Sequence, residues 1–359
     1  IKEAAEFAHN PGKKDYVTVN IFSHNADIPE LPEYLLSLEE AGVDALLISD
    51  FGVWSIARQV VPDMALHVST QANTCNWAAV EAWKNLGAER VVLARELSIA
   101  EISEIDKKCD VELEVFVHGA MCISYSGRCY LSSYLTGRDG NRGECAQVCR
   151  WNYQLVEENR PDQAFPIEED ERGTYIMNSK DLCLLDLIPE LADAGVDSLK
   201  IEGRMKSVHY VATVVSVYRK AIDDWYSNPG QFSIKSEWKD ELEKVSHRPY
   251  FYGFAVNRPD ENGQIYTTSS YVQTRDFVGI VTGYDKETNT AYIEQRNKMV
   301  VGEKLEVLMP DGTILDIVLD DMRDENGNLF DVANRVQQRF SIKSAINLQP
   351  YSLLRRISK

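Results

Sequence analysis

Short apolar segments alternate with amphipathic helical patterns between Tyr16 and Glu202. The apolar segments are rich in Val, Ile and Leu, as strands that are buried on both faces require. Helical patterns such as Leu31–Ala41 and Asn76–Leu86 lie between them. Repeated βα units of this size predict an α/β fold with a parallel sheet. The predicted strands are Tyr16–Phe22, Ala45–Ser49, Leu66–Gln71, Arg90–Ala94, Leu113–His118 and Ser198–Glu202.

Two architectures suit these strands, a (β/α)8 barrel and a doubly wound open sheet. The sequence Ala-Gly-Val-Asp occurs at Ala41–Asp44 and at Ala194–Asp197, where a helix ends at the glycine before a buried strand. Because the chain begins at Ile1 inside a helical pattern, we expect further βα units before it. The sequence therefore predicts a (β/α)8 TIM-type barrel that lacks its first units, with the doubly wound sheet as the alternative.

Strand-like alternation replaces this pattern after His247, beyond a strong helical segment at Ser207–Tyr226. The turn signal Asp311-Gly312 separates two of the alternating segments. We predict two domains, a barrel domain at 1–246 and a small all-β barrel at 247–359. The predicted strands of the second domain are Phe277–Thr282, Thr290–Gln295, Lys304–Leu308, Ile314–Leu319 and Tyr351–Ile357.

The formal net charge of −18 opposes non-specific binding to nucleic acids, which depends on basic surfaces. An RNA-binding protein of this composition would therefore need a confined basic patch. Since the sequence contains neither an apolar run of membrane-spanning length nor a signal peptide, we expect a cytoplasmic protein without a membrane partner. The seven cysteines are an odd number, which argues against a disulfide framework.

Most of the cysteines lie in a long insertion, Met121–Asp197, that follows the fifth predicted strand. Insertions at the carboxyl ends of barrel strands are where active sites are built. A further strand is expected within it at Tyr175–Asn178. The residues alone leave three options open, namely an iron–sulfur cluster, a zinc ion, and buried thiols without a metal. The cysteines concerned are Cys122, Cys129, Cys145, Cys149 and Cys183.

The segments around these cysteines resemble the peptidase U32 family, also called collagenase-like peptidases. The strand-end motif reads EVFVHGAMC over residues 114–122, and SGRC follows at 126–129. The segments CAQVCR at 145–150 and KIEGRMK at 200–206 also match the family. The resemblance extends over nearly the whole chain, so it bears on both predicted domains.

This resemblance implies one of three hydroxylation activities. The first makes 5-hydroxyuridine at the tRNA wobble position with prephenate as donor, the second modifies a cytidine of ribosomal RNA, and the third acts on ubiquinone. It also implies a 4Fe-4S cluster as cofactor, with Cys149 as a reserve ligand. Cys75 and Cys109 have no matching role, and we expect structural thiols there. The ligands that the family pattern selects are Cys122, Cys129, Cys145 and Cys183.

Three residues at predicted strand ends are candidates for catalysis. His118 could act as an acid or base, and a structural histidine is the alternative. Arg204 could bind a carboxylate or phosphate beside Glu202, and an internal salt bridge between these two residues is the alternative. Strand position alone suggests Asn20, Gln71 and Lys200. The arginines that could form a surface for RNA are Arg128, Arg138, Arg142, Arg150, Arg204, Arg335, Arg339, Arg355 and Arg356.

Proteolysis is the competing activity that the family name suggests. Neither a His-Glu-x-x-His zinc motif nor a Gly-x-Ser-x-Gly elbow occurs in the chain. Cys122 and His118 could form a thiol–imidazole pair, but such a nucleophile also needs oxyanion donors. We therefore prefer iron–sulfur-dependent hydroxylation of tRNA wobble uridine. A collagenase-like peptidase, a ribosomal RNA cytidine hydroxylase and a binding module without catalysis are the alternatives.

Overall fold

The computed structural model describes residues 1–358 except 123, 126, 127, 152, 153, 158, 159, 167–178, 260–262, 264 and 266–270, and gives only the backbone of 154–157 and 160–166. The strand expected at Tyr175–Asn178 lies outside the described residues. The chain forms two compact units. The first comprises Ile1–Glu202 and Tyr250–Ser269, and the second comprises Gly203–Pro249 and Ser270–Lys359.

The first unit is built on a parallel sheet whose strands follow one another in sequence order. Its strands are β1 (Tyr16–Val19), β2 (Ala45–Ile48), β3 (Ala65–Val68), β4 (Arg90–Val92), β5 (Glu112–Ala120), β6 (Gln154–Glu157), β7 (Arg160–Pro166), β8 (Asp181–Cys183), β9 (Ser198–Ile201) and β10 (Tyr250–Phe251). Parallel pairing runs from β1 to β5, and β9 pairs with β5 in parallel. The six predicted parallel strands are therefore confirmed, and their order does not reverse as it would in a doubly wound sheet.

Two short strands that sequence analysis missed extend this sheet. β8 lies antiparallel to the end of β5, and β10 pairs in parallel with β8. Strands of two or three residues carry too little alternation for a pattern to reveal them. β6 and β7 form a separate antiparallel hairpin. The sheet is thus mixed, although all of its longer pairings are parallel.

Seven α-helices are described in the first unit, and two of them occupy the predicted patterns Leu31–Ala41 and Asn76–Leu86. They are α1 (Lys2–His9), α2 (Leu31–Glu40), α3 (Phe51–Val60), α4 (Trp77–Asn85), α5 (Ile99–Asp106), α6 (Leu131–Thr136) and α7 (Ile188–Asp193). A capping box joins Ser98 to Glu101 at the start of α5. Gly42 and Gly195 follow α2 and α7 with φ of +79° and +81°, which confirms the predicted glycine ends.

Strand β5 changes partners along its length, and Gly119 makes this possible. Residues 112–114 pair with β4 and residues 118–120 pair with β8, while β9 pairs with residues between Glu114 and His118. Gly119 has φ +115°, and a Cβ atom there would lie 2.6 Å from the carbonyl oxygen of Glu202. Only glycine tolerates both the backbone conformation and this approach. The ends of β5 and β9 can therefore lie side by side, with the Glu202 amide donating to the His118 carbonyl at 2.9 Å.

A buried ion network crosses the middle of the parallel sheet. The Glu114 carboxylate accepts a hydrogen bond from Lys200 Nζ at 2.6 Å and from Ser198 Oγ at 2.9 Å, and Arg90 Nη1 lies 3.3 Å away. Burial raises the pKa of Glu114, but these cations and hydrogen bonds outweigh it and lower the pKa below its ordinary value. Lys200, a weak site candidate by strand position, thus pairs with a structural carboxylate.

The second unit combines an antiparallel sheet with two helices. The helices are α8 (Val208–Ser227) and α9 (Ser236–Leu242), and the strands are β11 (Arg275–Asp285), β12 (Thr290–Gln295), β13 (Met299–Val300), β14 (Lys304–Leu308), β15 (Ile314–Val318), β16 (Val332–Ala333), β17 (Arg339–Lys343) and β18 (Leu353–Ile357). Six strands form one sheet in the order β15-β14-β18-β11-β12-β17, and β13 pairs with β16. Bulges within β11 bend the sheet around an apolar core. The predicted C-terminal strands are present.

Helices α8 and α9 belong to the second unit, so its extent differs from the predicted division at residue 246. His209 of α8 stacks on Phe277 of β11 with ring centroids 5.9 Å apart. Lys220 Nζ donates to the Gly312 carbonyl at 2.6 Å. These helices pack on strands far ahead in the chain, and periodicity alone does not reveal such contacts. None of the helices among the described residues is long and apolar enough to cross a membrane.

Arg355 of β18 joins α9 to the sheet of the second unit. Its side chain is fully buried, and Nη2 donates to Glu241 at 2.8 Å, while Nε lies 3.3 Å from Glu306. Lys244 forms ion pairs with both Glu241 and Glu306, and Arg275 also pairs with Glu306 at 2.7 Å. Removal of one member of a buried ion network leaves its partners desolvated and uncompensated.

We expect Arg355→Leu to destabilise the second unit by about 3 kcal/mol, because Glu241 and Glu306 stay largely buried with one cation fewer, while Lys244 and Arg275 remain. The matched control is Arg339→Leu, since Arg339 is largely exposed and lies 3.6 Å from Glu294. An exposed pair of this kind contributes about 0–1 kcal/mol. Urea unfolding of the whole chain measures both changes. Equal losses in the two variants would contradict the structural role of Arg355.

Stability should also fall below neutral pH because of His209. The pKa of His209 is lowered to about 4, mainly by burial and then by Arg355 and Lys244, while Glu306 opposes this shift. The unfolded chain takes up a proton near the ordinary pKa of about 6.5, whereas the folded chain does not. The stability from neutral His209 is therefore lost as the pH falls from about 6.5 towards about 4.

The variant His209→Gln cannot titrate in this range. Its unfolding free energy should fall less steeply than that of the wild type between pH 6 and pH 5, by about 1.4 kcal/mol per pH unit. Urea unfolding at a series of pH values measures the two slopes. Parallel slopes would show that His209 does not control this loss.

Candidate functional site

Polar side chains gather where the parallel strands end. Asn20, which follows β1, donates from Nδ2 to Ser69 Oγ at 2.8 Å beyond β3. Gln71 is buried, and its Oε1 accepts from Asn141 Nδ2 at 2.7 Å. Asn141 also accepts from the Phe22 amide at 2.6 Å. Asn141 belongs to the cysteine-rich segment, so these bonds attach that segment to the carboxyl ends of the strands.

Arg95 occupies the centre of this edge and was not predicted. It follows β4, and its guanidinium lies 3.8 Å from the centre of the Phe116 ring. Nη1 donates to the Ala120 carbonyl at 2.8 Å, and Nη2 lies 3.6 Å from the Glu202 carboxylate. Burial lowers the pKa of Arg95, while Glu202 and Cys122 oppose this shift. A buried guanidinium beside a thiol stabilises negative charge on that thiol.

A second buried guanidinium lies at the base of the cysteine-rich segment. Arg150 Nη2 donates to the Met121 carbonyl at 3.2 Å and lies 3.8 Å from Asp181. Arg150 and Asp181 are both buried, so neither side chain faces solvent. Arg150 therefore does not contribute to the RNA-facing surface that the sequence suggested. Its charge instead acts on the neighbouring thiol of Cys149.

Four thiols of this segment interact electrostatically. The pKa of Cys149 is raised to about 11, mainly by burial and also by Cys122, Cys145 and Cys129, while Arg150 opposes this shift. Burial likewise raises the pKa of Cys122, with added contributions from Cys129 and Cys145. A neighbouring thiolate disfavours ionisation of a second thiol only over a short distance. Three predicted ligands, Cys122, Cys129 and Cys145, thus contribute to the raised pKa of the reserve residue Cys149.

Cys183 has a different environment. It stands opposite His118 in the antiparallel pairing of β8 with β5, and opposed residues project from the same face of a sheet. His118 is buried, with its ring centroid 5.1 Å from that of Tyr250. Tyr252 donates to Asp186 at 2.8 Å, and Cys183 contributes to the raised pKa of Tyr252. The surroundings of Cys183 therefore include His118, Tyr250 and Tyr252.

Short-range contacts fix the backbone around the thiols. The Ala146 amide donates to Ser132 Oγ at 3.0 Å, which attaches the segment after Cys145 to helix α6. The Gln147 amide lies 3.4 Å from Cys145 Sγ, and Gln147 has φ +55°. Amide donors beside a sulfur atom stabilise thiolate ligands and tune the metal that they bind.

Four cysteine thiols match an iron–sulfur cluster in type and number. Two buried guanidiniums, of Arg95 and Arg150, would offset the charge of the thiolates. Among the described side chains, no three His, Cys, Asp or Glu groups stand at metal-ligand spacing. Binding such a group would therefore draw the thiols together and displace their protons, as metal binding and local folding are coupled. In residue type and number, the four cysteines therefore fit an iron–sulfur cluster.

The remaining predicted site residues are more dispersed. Arg204 is exposed and belongs to the second unit, whereas Glu202 ends the first unit beside Arg95. Cys75 donates to the Asn73 carbonyl, and burial raises the pKa of both Cys75 and Cys109.

The predicted basic surface is smaller than the sequence suggested. Arg355 is fully buried, and Arg356 pairs with Glu303 at 2.9 Å. Arg142 is half exposed and donates to Asp27 at 3.0 Å. Arg128 and Arg138 remain exposed beside the cysteines. The sequence alone could not show which of these arginines are buried, paired or exposed, because each outcome depends on a tertiary partner.

Two family models match consecutive parts of the chain. Peptidase family U32 matches residues 1–265, and the peptidase family U32 C-terminal domain matches residues 273–355. These matches include the strands that carry the site and the antiparallel sheet of the second unit.

Named relatives agree with the family models. The chain is 42% identical to tRNA hydroxylation protein P1 of Bacillus subtilis, covering 99% of this chain and 84% of that protein. It is 39% identical to tRNA hydroxylation protein P of Escherichia coli, covering 91% and 80%. A 23S rRNA 5-hydroxycytidine synthase of Escherichia coli is 34% identical over 69% of this chain and 37% of that protein. The chain belongs to the peptidase U32 family.

Proposed function

We propose that this chain is an iron–sulfur-dependent enzyme that hydroxylates tRNA wobble uridine to 5-hydroxyuridine. The observation that carries the proposal is the group of four interacting thiols at the strand ends of a U32 chain. The relatives that share most of its length are named for tRNA hydroxylation. A tRNA substrate implies the cytoplasm as the compartment.

The proposed ligands of a 4Fe-4S cluster are Cys122, Cys129, Cys145 and Cys149. We propose Cys149, the reserve residue, in place of Cys183 because the other three thiols contribute to its raised pKa. When bound through four thiolates, such a cluster would supply electron transfer. Arg95 and Arg150 hold positive charge beside the thiolates in a region shielded from water.

The protein groups proposed for the reaction lie at the ends of β5 and β9. His118 is buried at the edge where substrate would meet the thiols, so it can hold a proton away from bulk water. Glu202 pairs with Arg95 and can accept a proton when substrate displaces that contact. Arg204, which follows along the chain, remains the candidate for binding carboxylates of a small donor.

Hydroxylation exchanges hydrogen at C5 of the base for a hydroxyl group, which is a two-electron oxidation. The donor must therefore deliver the hydroxyl group and be reduced by two electrons as it takes up the displaced hydrogen, and we propose prephenate in this role, as the family resemblance implies. We also propose that the six parallel strands are part of a (β/α)8 barrel, since they follow sequence order and carry the polar groups at their carboxyl ends.

Proteolysis is retained as a second candidate because Cys183 stands opposite His118. A thiol and an imidazole on one face of a sheet are the pair that a cysteine peptidase requires. Hydroxylation of ribosomal RNA has weaker support, since the chain spans a much smaller share of that relative than of the tRNA relatives. Both alternatives predict different products from the preferred function.

Cys149→Ser should remove most of the bound iron from protein purified without oxygen, because it deletes one cluster ligand. The wild type should carry about four iron atoms per chain, as a cubane cluster does. Cys183→Ser is the matched control and should keep its iron, since its thiol lies opposite His118. Metal analysis and visible absorption measure both variants. Loss of iron in Cys183→Ser with retention in Cys149→Ser would contradict this proposal and favour Cys183 as the fourth ligand, as the family pattern implies.

Nucleoside mass spectrometry tests the reaction itself. A bacterial strain without its own tRNA hydroxylation activity should regain 5-hydroxyuridine derivatives when it expresses the wild type, and Cys149→Ser should fail to restore them. Cys183→Ser should restore them, because it keeps the cluster. Gain of 5-hydroxycytidine in ribosomal RNA would instead select the ribosomal substrate. Peptide cleavage that depends on Cys183, without any RNA product, would overturn the proposal.

A further inference from the structure

Large aromatic side chains are unusually exposed on the segment that carries the thiols. Tyr130 is 71% exposed and Tyr134 is 75% exposed, and Tyr125 and Trp151 are each at least half exposed. Exposed aromatic rings in a cluster mark binding surfaces more often than isolated exposed residues do. These rings are candidates for contact with a planar ligand.

Helix α6 holds two of the rings on one face. Tyr130 immediately precedes the helix and Tyr134 lies four residues later, so their side chains project in the same direction. Ser132, on the opposite face, is buried and accepts from the Ala146 amide at 3.0 Å. The helix ends at Gly137, which has φ +71°. The two tyrosine rings thus lie on a helix whose Ser132 binds the backbone between the proposed ligands Cys145 and Cys149.

The segment that carries the rings does not share the acidity of the whole protein. Residues 121–151 contain four arginines and two acidic residues, whereas the whole chain carries −18. Arg150 is buried and Arg142 pairs with Asp27. Arg128 and Arg138 remain exposed, each a few residues from a ring. A phosphate backbone could therefore approach this segment although the rest of the chain repels it.

We propose that Tyr130 and Tyr134 form a stacking platform for unpaired bases of an RNA loop, with Arg128 and Arg138 contacting the adjacent phosphates. This inference rests on the proposed function and specifies how its substrate is bound. Proteins recognise single-stranded RNA by stacking bases on aromatic rings and by contacting the backbone with basic side chains. Base-paired RNA buries the faces of its bases, so the platform selects a loop.

The stacking platform lies next to the proposed cluster ligands along the chain. Cys129 precedes Tyr130 directly, and Ser132 holds the backbone next to Cys145. A base stacked on Tyr130 is therefore delivered beside the thiols. The neighbouring bases of the loop stack on Tyr134, so the target base is separated from them.

The experiment measures binding of a labelled anticodon stem-loop RNA by fluorescence anisotropy. Tyr130→Ala and Tyr134→Ala should each weaken binding about tenfold, because the loss of one stacked base costs about 1–3 kcal/mol. Tyr130→Phe and Tyr134→Phe keep the ring and should stay within about twofold of the wild type. Tyr226→Ala is the matched control, since Tyr226 is 78% exposed on α8 of the second unit. It should bind as the wild type does.

Further outcomes separate this inference from the proposed function. A double alanine variant that retains its iron and binds the stem-loop as tightly as the wild type would overturn the platform alone. Absence of RNA binding by the wild type would overturn the proposed function as well. Loss of collagen-peptide binding in the alanine variants, with RNA binding unchanged, would assign the rings to a peptide instead.

Photocrosslinking gives a test that does not depend on variant folding. A stem-loop that carries 4-thiouridine at the wobble position should form its adduct with the wild type within residues 129–134. Competition by unlabelled single-stranded RNA should abolish the adduct, whereas an RNA duplex should not. Adducts confined to the second unit would contradict the platform.

Discussion

The change of partner along strand β5 is the constraint on which the site depends. β5 pairs with β4 and β9 and then with β8, and the ends of β5 and β9 meet because Gly119 carries no side chain. This arrangement places His118, Glu202 and Cys183 at one edge of the sheet. The chain leaves β5 at Ala120 and enters the cysteine-rich segment immediately, so the geometry of the strand end determines where the thiols begin.

Buried charge then determines what the thiols can do. Partly buried thiols resist ionisation, and burial raises the pKa of Cys122 and Cys149. Arg95 and Arg150 counter this effect, and each is anchored by carbonyl oxygens and carboxylates of the sheet rather than by solvent. The scaffold therefore supplies fixed positive charge where anionic ligands would form. A metal that displaces the thiol protons completes the balance of charge.

The sequence predicted the six parallel strands because each is a buried apolar run between helical patterns. It missed β8 and β10, which are too short to show a period, and it separated α8 from the sheet on which α8 packs. The cysteines were recognisable as a group, but the pairing that sets Cys183 opposite His118 across β5 and β8 could not be predicted from their spacing. The burial of Arg150 and Arg355 likewise follows from tertiary partners that spacing does not encode. Arg95 could have been found by its position just after a predicted strand.

Iron K-edge X-ray absorption of the protein purified without oxygen tests the central claim most directly. The claim is that the thiols at the carboxyl ends of the strands hold one iron–sulfur cluster. The account predicts iron surrounded by sulfur alone or nearly so, with neighbouring iron atoms at the short separation of a cubane cluster. Iron surrounded by nitrogen and oxygen, or stoichiometric zinc in place of iron, would contradict it.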